Sequence, residues 1–171
     1  MRADSYLLLI SLPKEHAMPP LAPVLKLNNG IPYPMVGCGT WAWDQTGERK
    51  LIADTVYEAI VAGYRHGDTA WVYQVEKEVG AGIKRAIDEE LVKREDMTVV
   101  TKVWLTHFTK EKVRKCASES NTALGLEYID VLLLHFPIPM QDKEPAPGYP
   151  FALNEDGGVA FDDSIDLFTE T

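Results

Sequence analysis

Proline is missing from the whole stretch between Met35 and Phe136, although the chain has eleven, all within residues 13–34 or 137–150. Because proline breaks helix interiors and central strands, that gap marks the regular body of the fold. Cysteine is scarce too. Cys38 and Cys116 show no paired spacing, which argues against a disulfide framework and for reduced thiols in a cytoplasmic protein. No apolar run approaches the ~20 residues of a membrane helix. Tyr6–Leu12 is short and ends at Pro13, so residues 1–22 read as a leader or extension rather than a secretory signal. A basic surplus is also lacking. Of the net charge of −9, residues 141–171 hold eight acids and one lysine, leaving −2 for residues 1–140. An acidic tail on a nearly neutral body argues against a nucleic-acid partner.

What is present alternates. Val24–Pro34 reads as a hairpin with Asn29-Gly30 as a two-residue turn, and Pro32 and Pro34 keep its second arm off any central position. Met35–Trp41 is the first candidate strand of the main sheet. A helix follows from about Glu48 to Ala62, with an apolar face of Leu51, Ile52, Thr55, Val56, Ala59 and Ile60. Strand Tyr64–Asp68 leads through a loop carrying Tyr73 to a helix over Gln74–Lys93, with Val75, Val79, Ile83 and Ile87 at four-residue steps. Strand Thr98–Trp104 and a helix capped by Thr109 and stopped by Gly125 come next. Strand Tyr128–Phe136, apolar on both faces apart from Asp130, has the pattern of a strand buried on both sides. The thirty residues after it are too long for an idle connection, and Asp162-Asp163-Ser164 has the look of a helix start. This is a parallel α/β pattern. An open doubly wound sheet is the alternative to a barrel, but no Gly-x-Gly-x-x-Gly follows the first strand.

Three polar residues end successive strands: Asp68, Lys102 and His135, separated by 34 and 33 residues, one strand–helix unit each. Taken singly, Asp68 reads as a helix cap, Lys102 as an ion-paired or snorkelling residue, and His135 as a core histidine. Their common placement changes that reading, since strand carboxyl ends are where α/β barrels keep their active sites. A tyrosine beside a lysine ammonium has its phenolate favoured, an aspartate would hold that ammonium, and a histidine could orient a carbonyl oxygen. Tyr73 as acid, with Lys102, Asp68 and His135, therefore fits carbonyl reduction. None of the four supplies a hydride, so a nicotinamide cofactor is implied. A metal-dependent hydrolase using His66, Asp68 and His135 is the remote alternative, because Lys102 would repel the cation. A barrel that binds or regulates without turnover is another.

The segments Gly37-Cys-Gly-Thr-Trp41, Gly63-Tyr-Arg-His-Gly-Asp-Thr-Ala70 with Tyr73, Glu76 and Gly80, Thr101-Lys-Val-Trp104, and Leu133-Leu-His-Phe-Pro137 resemble the aldo-keto reductases. The resemblance covers residues 24–171. It implies a (β/α)₈ TIM barrel that reduces aldehydes and ketones with NADPH, using Asp68, Tyr73, Lys102 and His135 as its catalytic set. It also implies Thr40, Trp41 and Asp68 at the cofactor, and Trp41, Val72, Trp104, His135 and Phe136 around a small carbonyl substrate. No metal is implied. Gly67 departs from the family, which usually has a branched apolar residue there.

A (β/α)₈ barrel typically needs ~250 residues, and four units are legible here. Residues 23–171 are thus expected to be the amino-terminal half of a barrel domain, with the nicotinamide and 2′-phosphate contacts of the family in the other half. The expectation for residues 1–171 alone is open sheet edges that self-associate, no NADPH binding and no turnover. The full-length form is expected to be monomeric.

Overall fold

The computed structural model describes residues 22–41 and 51–167. The chain opens on an antiparallel hairpin, β1 (Val24–Lys26) and β2 (Pro32–Pro34), with Leu25 opposite Tyr33. Its turn differs from the expected two-residue form. Gly30 alone takes a positive φ, of 83°, and its N–H donates to the Leu27 carbonyl while the Leu27 N–H donates to that of Ile31. Three residues therefore form the loop, with glycine at the left-handed position that closes it.

The main sheet is parallel and four-stranded: β3 (Cys38–Gly39), β4 (His66–Asp68), β5 (Thr98–Val103) and β6 (Val131–Leu134), in that spatial order. A doubly wound sheet would reverse its order partway. Consecutive order is the pattern of successive barrel units, although the described residues do not close a barrel. Helices α1 (Ile52–Val61), α2 (Glu76–Asp88) and α3 (Lys110–Leu124) supply the crossovers. The expected start of α1 at Glu48 lies outside the described residues. Its buried stripe is Ile52, Val56 and Ile60, with Leu51 and Thr55 exposed, so the apolar face is narrower than the sequence implies.

Helix α2 ends five residues short of Lys93. Glu90 turns left-handed at φ 58°, and the Leu91 and Glu90 N–H groups close back on the Ala86 and Ile87 carbonyls. Arg94 does not serve that helix end. Its guanidinium lies 2.7 Å from Asp130 and donates to the Tyr128 and Met97 carbonyls, tying the starts of β5 and β6 together. Helix α3 matches expectation at both ends: Thr109 Oγ1 accepts from Lys112 N–H, and Gly125 adopts φ 62°.

Two apolar clusters follow. Val75, Val79, Ile83 and Val99 join the α1 stripe behind the sheet. Val103, Trp104, Leu105 and Phe108 pack with Cys116 and Met140 beneath the 137–161 segment, which is a folded loop bridged at Met140–Phe161 and Leu153–Val159. Asp162 closes a turn there, accepting from Ser164 N–H, and Leu167, the last described residue, is helical. Strand β6 is where burial departs from expectation. Leu132, Leu133 and Leu134 are each about two-fifths exposed, and among the described residues β6 has no strand on its far side. The described helices are long and apolar enough in no case to cross a membrane.

Two glycines should respond oppositely to a side chain. A Cβ on Gly67 meets nothing within 4 Å, and its register partner Val99 is part of the helix-side cluster. Gly67→Val should raise stability by about 0.5–1 kcal/mol, mainly through a less flexible unfolded chain. A Cβ on Gly80 would fall on the Leu124 carbonyl where α2 crosses the end of α3. Gly80→Ala should cost about 1–3 kcal/mol, outweighing alanine's better helix propensity. Urea midpoints of the two variants check both signs.

Candidate active site

Register brings the strand-end residues together. Asp68 pairs across with Val100 and Lys102 with Leu133, so alternation puts Asp68, Lys102 and the residue two beyond Leu133, His135, on one face. Lys102 Nζ lies 2.6 Å from Asp68 Oδ1 and donates at 2.9 Å to the Thr69 carbonyl. The Lys102 side chain is 13% exposed and that of Asp68 35%, so the lysine of this charge-assisted pair is mostly withdrawn from water while the aspartate keeps partial contact with it. Two of three ammonium N–H groups are thereby committed among the described residues.

Tyr73 ends a single 3₁₀ turn, Trp71–Tyr73. The turn stops because Gln74 takes a left-handed φ of 55°, where its Nε2 donates to the Trp71 carbonyl at 2.7 Å. The Tyr73 ring centroid is then 5.1 Å from Lys102 Nζ, 5.5 Å from the His135 ring and 4.7 Å from the Trp41 ring. His135 extends the β6 ladder by donating its N–H to the Val103 carbonyl. Its ring meets Trp104 edge-on at 5.2 Å and stacks on Phe136 at 5.0 Å. Burial first, and then the Lys102 ammonium, hold this imidazole below its ordinary value, against an upward pull from Asp68. The neutral ring keeps one N–H to donate.

Of the nine residues singled out from the sequence, seven form this contiguous cluster: Asp68, Tyr73, Lys102, His135, Trp41, Trp104 and Phe136. Thr40 is attached through the backbone, its hydroxyl and N–H both donating to the Asp68 carbonyl at 3.0 Å. Val72 packs against the cluster that contains Trp104 and Phe108. A cavity of about 730 Å³ is lined by Val72, Trp104, His107, Tyr149 and Phe151; it adjoins the cluster through Trp104, with none of the four acid–base residues in its wall. His66 does not join the cluster either. It sits at the opposite end of β4, where its ring contacts the Pro34 carbonyl at 3.0 Å and the Tyr33 hydroxyl at 3.3 Å. The metal-hydrolase alternative loses a ligand by that geometry.

Sequence reasoning quoted Glu76 beside Tyr73 without giving it a role, and did not single out Trp71 or Glu119, the other groups that hold Tyr73's turn. Trp71 Nε1 donates to Glu119 of α3 at 3.1 Å, and its ring lies 4.7 Å from that of His107. Glu76, buried at the start of α2, accepts from Thr101 Oγ1. The signal was available, since an acid beside Val75 and three before Val79 falls on the apolar stripe.

Residues 35–163 match the model of the aldo/keto reductase family. Among curated proteins, the chain is 44% identical over 129 residues to an NAD(P)H-dependent D-xylose reductase of Pyricularia oryzae, covering 75% of this chain and 39% of that protein. It is 46% identical over 127 residues to the 4-dihydromethyl-trisporate dehydrogenase of Mucor mucedo, covering 74% and 38%. An NADPH-dependent aldose reductase of Saccharomyces cerevisiae is 40% identical over 134 residues, covering 75% and 39%. Among solved structures, a Bombyx mori aldo-keto reductase in complex with NADP superposes with a TM-score of 0.70 at 38% identity, over 85% of this chain and 43% of that one. The chain thus spans about two-fifths of the length of the curated relatives it matches.

The buried imidazole makes stability depend on pH. The unfolded ring protonates near 6.5 and the folded ring only at lower pH, so the unfolded chain takes up more protons on acidification. The stability owed to the neutral ring is complete above about 6.5 and is lost as pH falls through the folded value. His107, also lowered chiefly by burial, acts in the same direction. On going from about pH 7 to pH 5, His135→Gln should lose less of its unfolding midpoint than the parent. Parallel curves for the two would show a solvated ring.

Proposed function

This chain belongs to the aldo/keto reductase family, and we propose that it carries the acid–base residues of a reductase that converts aldehydes and ketones to alcohols with NADPH. The observation that supports this best is Tyr73, its ring held between Lys102 Nζ at 5.1 Å and His135 at 5.5 Å, with Lys102 fastened to Asp68 at 2.6 Å. Residues 23–171 supply four of the eight units of a (β/α)₈ barrel, with residues 1–22 outside it, in a cytoplasmic protein whose full-length form is monomeric.

In this reading Tyr73 donates its phenolic proton to the carbonyl oxygen as that oxygen gains charge. The Lys102 ammonium stabilises the phenolate left behind, and Asp68 keeps Lys102 in place. His135, neutral, donates its N–H to the same carbonyl oxygen and fixes its direction. These side chains hold and move protons only, which suits a partner that brings the hydride. NADPH, when bound, supplies that hydride to the carbonyl carbon. Trp41 and Asp68 line the cofactor, with Thr40 holding the Asp68 backbone. Trp41, Val72, Trp104, His135 and Phe136 enclose the substrate. The names of the relatives favour sugar aldehydes such as D-xylose as first substrates to try.

In the full-length protein, Tyr73→Phe should lower kcat for D-xylose reduction by about 10²–10⁴-fold, with NADPH affinity nearly unchanged. Lys102→Met should be similarly impaired. NADPH oxidation followed by absorbance, with fluorescence titration for binding, gives both readouts. More than a tenth of parental turnover in Tyr73→Phe would remove it from the acid role.

A further inference from the structure

Glu76 is an anomaly for the first turn of a helix. An acid there is favoured by the helix dipole, but that benefit needs no burial, and Glu78 in the same turn provides it. Glu76 is only 5% exposed and sits over β5, where Thr101, fully buried, donates its hydroxyl to Glu76 Oε1 at 2.6 Å. Withdrawing a carboxyl group from water is costly unless it is hydrogen-bonded, so this contact must be kept for the helix to lie where it does.

Its location gives the contact a consequence. Thr101 precedes Lys102, and strand alternation turns Thr101 to the helices and Lys102 to the active face. Glu76 follows Tyr73 by three residues, across Gln74 in its left-handed conformation. The Glu76–Thr101 hydrogen bond is thus a short tie between the turn that carries the phenol and the strand that carries the ammonium. The Thr69 N–H, donating to the Val100 carbonyl, fixes the start of the same turn to the same strand. On the far side, Trp71 is held by Glu119. These hydrogen bonds tie the Tyr73 turn to β5 and α3; Lys102 Nζ itself donates to the Thr69 carbonyl before the turn, and Glu76 closes the tie after it.

We infer that Glu76 is a positioning residue that sets the distance between Tyr73 and Lys102 through Thr101. This rests on the acid role given to Tyr73 above. A buried hydrogen-bond acceptor is what the position requires, so Glu76→Gln, which keeps Oε1, should preserve at least about half of kcat in the full-length reductase. Thr101→Val and Glu76→Met each break the tie. Each should lower kcat for D-xylose by about tenfold or more while the KM for NADPH moves less than about twofold, because misplacement of the reacting groups acts on turnover.

Either single change can also unfold the chain by leaving a buried polar group unpaired. The double variant Thr101→Val/Glu76→Met leaves neither partner unpaired. It should recover the unfolding midpoint without recovering kcat, a split that a purely structural role would not produce. Recovery of kcat together with the midpoint would overturn the inference. So would unchanged kcat in both single variants when Tyr73→Phe is inactive. Turnover surviving in Tyr73→Phe would instead remove the acid role itself, and this inference with it.

Discussion

The contact between Lys102 and Asp68 is the interaction on which the site depends. A lysine whose side chain is 13% exposed at a sheet end is held because a carboxylate lies 2.6 Å from its ammonium and a backbone carbonyl 2.9 Å away. Removing Asp68 would leave the mostly buried lysine charge short of both water and its carboxylate partner, a penalty that helps fix the geometry. The pair exists because β4 and β5 are parallel and in register, Asp68 beside Val100, one alternation step before Lys102. An antiparallel partner would have sent the two groups to opposite ends of the sheet.

Strand β5 serves both faces. Val99, Thr101 and Val103 are fully or almost fully withdrawn toward the helices, where Val99 meets the α1–α2 cluster and Val103 the cluster under the 137–161 loop. Val100 and Lys102 lie on the other face. The strand can thus be rigid on one side while presenting a charge on the other, and among the described residues it is the one strand with members in both clusters. The Tyr73 turn is held to this strand on its helix-facing side, through Thr69 N–H to the Val100 carbonyl and Glu76 to Thr101.

Strand ends were legible because period-two alternation and unit-length spacing are local properties. Asp68, Lys102 and His135 needed nothing beyond those to be placed together. The features that were not legible depend on distant partners or on rare backbone choices. Helix α2 stops at Asp88 because Glu90, not a glycine, turns left-handed, and Arg94 is recruited by Asp130, 36 residues away. The hairpin loop has three residues because Lys26 pairs with Pro32, a register that Asn29-Gly30 alone does not specify. Strand β6 has a composition suited to burial on both faces, yet its exposure depends on what pairs with it. Among the described residues, only β5 does.

The two histidines on the active face show how strand polarity divides labour. His66 begins β4 and His135 follows β6, so the parallel sheet sends them to opposite ends. At the first end, the His66 ring fits under the hairpin against Tyr33 and Pro34, so close to Gly37 that a Cβ there would lie 2.8 Å from the ring. A residue so enclosed closes the floor of the sheet. At the other end, His135 is left with aromatic neighbours and an Nδ1 that finds no hydrogen-bond partner among the described residues. The same residue type on the same face is a structural plug where the strands begin and a candidate catalytic donor where they end. What separates the roles is which end of the strands the chain covers with its own hairpin, and the uncovered end is the one where a substrate can enter.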